Sequence, residues 1–288
     1  MRAKSLSASL IATLSLSGLG VAQDTPPAAD TPKVKPGAVE APAAGAESID
    51  LLDPKAAAPI PPPDAPPNPD LDLSEGLEAR VPESLKKMTD EEKAKLGGLL
   101  QDAVTYLGGI RIQEAFEKLV DAEAMAPDYA PVWNLKGAAY TKVRNFDKAG
   151  EAFGKAVELD PAAFMSRFNL TEIHFVQHKF PKADKEFANL IVANPKMLVA
   201  TKALINFKIA ICKLKQDDEP AAIAIIEKFD PLDDHPGFYF GNAALHFHRG
   251  EEDKAKSWMI SAERIYGKNQ INIYTDSFIE VGWIDNLQ

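Results

Sequence analysis

The stretch Ala130–Pro161, APVWNLKGAAYTKVRNFDKAGEAFGKAVELDP, decides how the chain folds. It reads as two helices joined by a turn. Gly137 and Ala149 are small, so the two antiparallel helices can approach closely. Trp133, Tyr140, Phe146 and Phe153 are large enough to fill the gaps between that pair and the next. Pro161 closes the second helix, because proline has no backbone donor and cannot continue the ladder.

The same features recur at one step. Pro127, Pro161 and Pro195 are 34 residues apart, as are Ala115, Ala149 and Ala183, and Leu119, Phe153 and Phe187. Tyr106, Tyr140 and His174 keep that step. A fixed period of this kind marks stacked units, each unable to bury its apolar face alone. The pattern resembles the tetratricopeptide repeat (TPR), a helix–turn–helix unit with small residues at three fixed positions, large ones at four and a closing proline. Trp133, Gly137, Tyr140, Phe146, Ala149, Phe153, Ala156 and Pro161 match it, while Lys136 stands where leucine is usual.

The resemblance implies an all-α fold, a right-handed α-solenoid of TPR-like hairpins at about 96–129, 130–163, 164–197, 198–235 and 236–269, with a C-terminal capping helix over 270–288. The first repeat keeps Tyr106, Ala115, Leu119, Ala122 and Pro127; the third keeps Leu170, Phe180, Ala183, Phe187 and Pro195. The fourth is degenerate. LINFKIAICKL and AAIAIIEKF read as its two helices, around the charged turn Gln216-Asp217-Asp218-Glu219. Ala183 to Ala255 and His174 to His246 are both 72 residues, two periods plus four. The fourth repeat therefore carries about four extra residues, expected in the acidic turn or in the Asp230–Pro236 connection. In the tail IYTDSFIEVGWI, residues Ile273, Phe278, Ile279 and Trp283 are expected to cover the last repeat face.

Upstream the composition changes. Residues 1–22 read as a signal peptide: Arg2 and Lys4, an apolar core from Leu6 to Leu19 too short to anchor in a bilayer, and Gly20-Val21-Ala22 placing a cut before Gln23. Residues 23–82 read as a disordered Pro/Ala/acid-rich linker. They hold fourteen of the 22 prolines and eleven acids against Lys33, Lys35, Lys55 and Arg80. Such a segment has little apolar surface to offset its ordering entropy. A spacer is the expectation, and a ligand for proline-reading domains is the alternative. Ser84 is placed to cap a short helix, and Thr89 with Glu92 fits a capping box. The repeat domain is thus expected over 83–288, and the mature chain in a periplasm or secreted, without a transmembrane anchor.

A net charge of -10 argues against nucleic acid, whose phosphates need a positive patch. The single cysteine, Cys212, lies in the apolar run IAIC and reads as a buried, inert thiol. There is no phosphate loop, nucleophile elbow, zinc helix or cysteine pair. His174 and His178 are one helical turn apart, but His174 takes the packing position of Tyr106 and Tyr140. No catalytic residues, metal or cofactor are expected, and the chain is not expected to be an enzyme.

In the family it resembles, the first helix of each repeat lines a concave groove. The resemblance places Asn134, Thr141 and Lys142 of the second repeat there, with Phe168, Glu172 and Phe175 of the third, Lys202 and Asn206 of the fourth, and Phe240 and Phe247 of the fifth. Phe168 and Phe175 are seven residues apart, as are Phe240 and Phe247, so each pair shares a helix face. The four rings are expected as anchors for a peptide or protein ligand. The alternative is that they pack on neighbouring helices or on the capping helix. The expected function is a non-catalytic protein–protein interaction scaffold. A second reading is a structural or assembly component of a cell-envelope complex, acting through self-association and the Pro-rich spacer.

Overall fold

The structure, a computed structural model, describes residues 81–285. The expected signal peptide and almost all of the expected linker lie outside them. The described chain is helical: α1 (Glu83–Lys87), α2 (Asp90–Gly108), α3 (Ile112–Met125), α4 (Ala130–Lys142), α5 (Phe146–Leu159), α6 (Phe164–Val176), α7 (Phe180–Ala193), α8 (Val199–Leu214), α9 (Glu219–Ile226), α10 (Gly237–His248), α11 (Glu252–Tyr266) and α12 (Lys268–Glu280). Helices α2 to α11 pair in sequence order as the hairpins that the 34-residue period predicts. The fold is an all-α solenoid of the TPR type.

Capping chemistry sets the first boundaries. Thr89 Oγ1 accepts from the Glu92 backbone N–H at 3.2 Å, and the Thr89 N–H donates to Glu92 Oε2 at 2.8 Å. This is the capping box read from the sequence. Ser84, by contrast, is not a cap. It lies inside α1, where its backbone N–H donates to Asp128 Oδ2 at 3.2 Å and its hydroxyl donates to Oδ1 of the same carboxylate. That contact ties α1 to the connection between α3 and α4.

Small residues set how closely the helices pack. A Cβ on Gly137 would stand 2.6 Å from the Phe153 ring, so only glycine lets α4 and α5 meet there. Ala149, Ala156 and Ala183 are fully buried at comparable crossings. The apolar interior forms two clusters. One runs through α2 to α5 and reaches Ile173; the other joins α6 to α12.

Each hairpin turns through a residue with left-handed backbone: Ile110 (φ 59°), Arg144 (φ 57°), His178 (φ 58°), Asp217 (φ 58°) and Gly250 (φ 73°). These residues mark the true register. Ile110, Arg144 and His178 are 34 apart, but His178 to Asp217 is 39 and Asp217 to Gly250 is 33. The extra residues therefore enter before Asp217: one in the connection 194–198, three in α8, which has 16 residues where α6 has 13, and one between the end of α8 and Asp217. This moves most of the insertion out of the acidic turn and the Asp230–Pro236 connection, where it was expected. α9 has only 8 residues, which compensates for the long connection over 227–236. A count between flanking repeats gives only the sum of such changes.

Candidate functional site: the inner face and the helix that covers it

Counting back from the turns aligns the first helices of the hairpins. Asn134, Phe168, Phe207 and Phe240 each stand ten residues ahead of the left-handed residue of their own turn. The fourth repeat therefore contributes Phe207 to this row. Lys202 and Asn206, expected from an unbroken 34-residue step, are displaced: Lys202 is exposed near the start of α8, and Asn206 is half-buried one residue off the row. The insertion ahead of the turn causes this shift.

Helix α12 lies against the inner face. Its buried residues Ile271, Tyr274 and Phe278, continued by Val281, form an apolar stripe at helical spacing. The Phe278 ring meets Phe207 (centroids 5.6 Å apart), Phe240 (5.5 Å) and Phe247 (5.1 Å). Tyr274 meets Phe207 at 4.9 Å and Phe240 at 5.3 Å. Thr275, Asp276 and Ser277 are buried too, so every side of this turn is covered. Beyond the helix, Trp283 stacks on Phe247 at 6.0 Å, with Lys215 Nζ over its indole at 4.5 Å. At the same end, His178 Nε2 donates to the Glu280 carbonyl at 2.9 Å. α12 touches α11, as a cap should, but it also runs across α8 and α10 to reach the turn that follows α6.

The expected aromatic anchors are thus core. Phe240 and Phe247 pack under Phe278, while Phe168 and Phe175 pack on Phe187, and Phe175 also on Phe180 of α7. All four are buried, with Phe175 and Phe240 at 0% exposure. The expectation that they face a ligand is corrected in favour of packing on neighbouring helices and on the C-terminal helix. Asn134 is buried as well. Its Oδ1 accepts from Asn169 Nδ2 at 3.0 Å, joining the second and third repeats. Thr141 and Lys142 stay half-buried at the end of α4, and burial lowers the Lys142 ammonium below its ordinary value.

The remaining expected residue, Glu172, belongs to a buried ionic cluster. Lys208 Nζ on α8 lies 2.8 Å from Glu172 Oε2 on α6 and 3.8 Å from Glu280 Oε2 on α12, and 4.6 Å from the centre of the Phe175 ring. Burial pulls the ammonium down, but Glu172 and Glu280 outweigh it and hold it above the ordinary lysine value. Burial raises Glu172 against the pull of Lys208. It pushes Glu280 up to about 8, with Lys208 and Arg144 opposing and Glu172 and Asp276 reinforcing. One ammonium facing two carboxyl groups keeps a proton on the acid pair near neutrality.

Phe207, Lys208, Tyr274 and Glu280 are not singled out by the sequence, whereas Phe278 is among the residues expected to cover the last repeat face. One signal for them is present in LINFKIAICKL, which is apolar around most of its circumference and so implies a cover on the inner side. Burial raises the Cys212 thiol in the same helix well above its ordinary value. Among the described residues, no helix is long and apolar enough to cross a membrane, and no three His, Cys, Asp or Glu side chains converge as a metal site.

No protein-family model matches the chain. It is 28% identical over 159 residues to the human protein O-mannosyl-transferase TMTC3, a match covering 54% of this chain and 17% of that protein. The chain thus spans less than a fifth of that relative. Among solved structures, pilF of Pseudomonas aeruginosa is similar with a TM-score of 0.50 and 15% identity, over 67% of this chain and 90% of that one. A tetratricopeptide repeat protein of Parabacteroides merdae gives 0.48 and 17% identity, over 65% and 71%. At such identities the likeness concerns the fold alone.

Proposed function

We propose that the chain is an exported, non-catalytic protein-interaction scaffold whose partner docks on the inner face of the repeats. The observation that carries this reading is α12. The inner face already encloses the Tyr274–Phe278 turn of a helix, so its dimensions and chemistry suit a protein segment. The TPR-type fold supports a protein partner in general. The basic start, apolar core and small-residue end of residues 1–22 support export. The transferase named among the relatives is a protein of which this chain matches 17%, and its activity is not carried over.

The test is a photo-crosslinking side chain placed at Thr141, at the half-buried end of α4, in the full chain within its native envelope or culture fraction. A discrete protein adduct at Thr141, with none at the exposed outer residue Val120, is expected. Equal labelling at both positions contradicts an inner-face partner. N-terminal sequencing of the same sample tests export, with Gln23 as the expected first residue and Met1 as the contradicting one.

One observation favours the second reading, an envelope component acting through self-association. Val192, Leu198, Val199 and Leu232 are exposed at or beside two inter-repeat connections. Light scattering on Leu198→Ser with Leu232→Ser tests it: loss of an oligomer supports self-association, and a monomer before and after substitution removes it.

A further inference from the structure

α12 is joined to the repeats by one residue. Tyr266 ends α11 and Lys268 begins α12; between them Gly267 holds φ 75° and ψ 163°, a conformation essentially reserved for glycine. From this hinge the helix carries its rings to α8 and α10 and its carboxylate to α8. Its seat differs from the hairpin interiors. Tyr274 Oη, Thr275 Oγ1 and Glu280 Oε2 are buried with no hydrogen-bond partner among the described residues, as is Glu172 Oε1 of the cluster they cover. Each unmet polar atom weakens the seat relative to an apolar one. Covalent tethering offsets this, because a tethered helix is present at high effective concentration.

We infer that α12 is a displaceable internal ligand, and that the partner it gives way to is a protein helix of the same chemistry. That helix carries two aromatic residues one turn apart, matching Tyr274 and Phe278 against Phe207, Phe240 and Phe247, and a carboxyl group reaching Lys208 as Glu280 does. The inference rests on the scaffold reading and adds the partner's chemistry. A vacated seat would expose three phenylalanines and one ammonium, a surface that an amphipathic helix covers and an extended polar peptide does not. Because the internal helix competes, an outside helix binds with an apparent affinity reduced by the open fraction. Weakening the internal helix must therefore tighten outside binding.

The probe is a fluorescein-labelled synthetic peptide of residues 268–285, added to the full chain and followed by anisotropy. Phe278→Ala in the chain, with the peptide unchanged, is expected to tighten peptide binding about tenfold or more over the wild-type chain. Tyr274→Ala is the second, milder variant, and circular dichroism checks that both retain native helicity. Unchanged or absent peptide binding in variants of native helicity overturns the inference. So does a dimer of the wild-type chain formed by exchange of α12, since the occupant is then a second copy. Peptide exchange without a crosslinked protein at Thr141 keeps the displaceable helix and removes the scaffold reading; a crosslink without peptide exchange does the reverse.

Discussion

Lys208 Nζ lies 2.8 Å from Glu172 Oε2, and the two side chains are 2% and 7% exposed. With Glu280 at 3.8 Å on α12, the contact joins three helices far apart in sequence. Taking away the ammonium leaves acids buried without a counter-charge. Lys208→Ala is expected to lower the unfolding free energy by about 3–5 kcal/mol. Urea denaturation measures it, and a loss below about 1 kcal/mol, the range of exposed pairs, contradicts burial of the cluster.

The same cluster makes the C-terminal helix sensitive to pH. Glu280, raised from an ordinary value of 4.5 to about 8, binds its proton more tightly in the folded chain than in the unfolded one. Its stabilising contribution is complete below about pH 4.5 and is lost as pH rises through 8. Glu172 is raised and acts in the same direction, while Lys208 keeps its charge across this window. Arg144 and Asp276 also face Glu280, and His178 meets its carbonyl. Trp283 fluorescence in a chain carrying Trp133→Phe and Trp258→Phe is expected to show a looser α12 at pH 9 than at pH 6. Glu280→Gln should flatten that difference; an unchanged pH profile would count against the assignment to Glu280.

Gly137 tests the packing between α4 and α5. Its missing side chain is replaced by the Phe153 ring, which a Cβ would meet at 2.6 Å. Gly137→Ala is expected to destabilise the protein by about 1–3 kcal/mol through overpacking, despite alanine's better helix propensity. A thermal melt reads it, and a rise in Tm would show that the two helices have room to separate.

Ile110 tests the turns. It is a β-branched residue at φ 59°, where a side chain costs roughly 1–2 kcal/mol, and it is largely exposed. Ile110→Gly is expected to stabilise the chain by about 0.5–1 kcal/mol after the greater unfolded-state entropy of glycine is counted. Lower stability in a urea titration would mean that the exposed side chain contributes packing absent from the structure.

The hairpins were legible because their determinants repeat locally. Gly137, Ala149 and Phe153 fix one crossing, and Ala115, Leu119, Ala183 and Phe187 repeat its terms at the same step. The site was legible only in part. Phe168, Phe175, Phe240 and Phe247 were rightly placed on the first helices of their repeats, but periodicity states which face a residue shares and not what covers that face. The register of α8 was lost because five extra residues enter before Asp217, while the count to the fifth repeat gives only a net excess and does not say where in the fourth repeat it lies. The course of α12 depends on contacts from Phe278 to Phe207 and from Glu280 to Lys208, pairings that no local pattern encodes.

Amide hydrogen exchange resolved along the intact chain separates a releasable α12 from a permanent one. If α12 is seated on the inner face as a releasable helix, the amides of Ile271–Glu280 are protected, yet exchange faster than those of Leu204–Cys212 beneath them, and faster still at pH 9 after correction for intrinsic rates. Equal protection of the two segments at every pH, with exchange only through global unfolding, would make α12 a permanent part of the core and contradict the account.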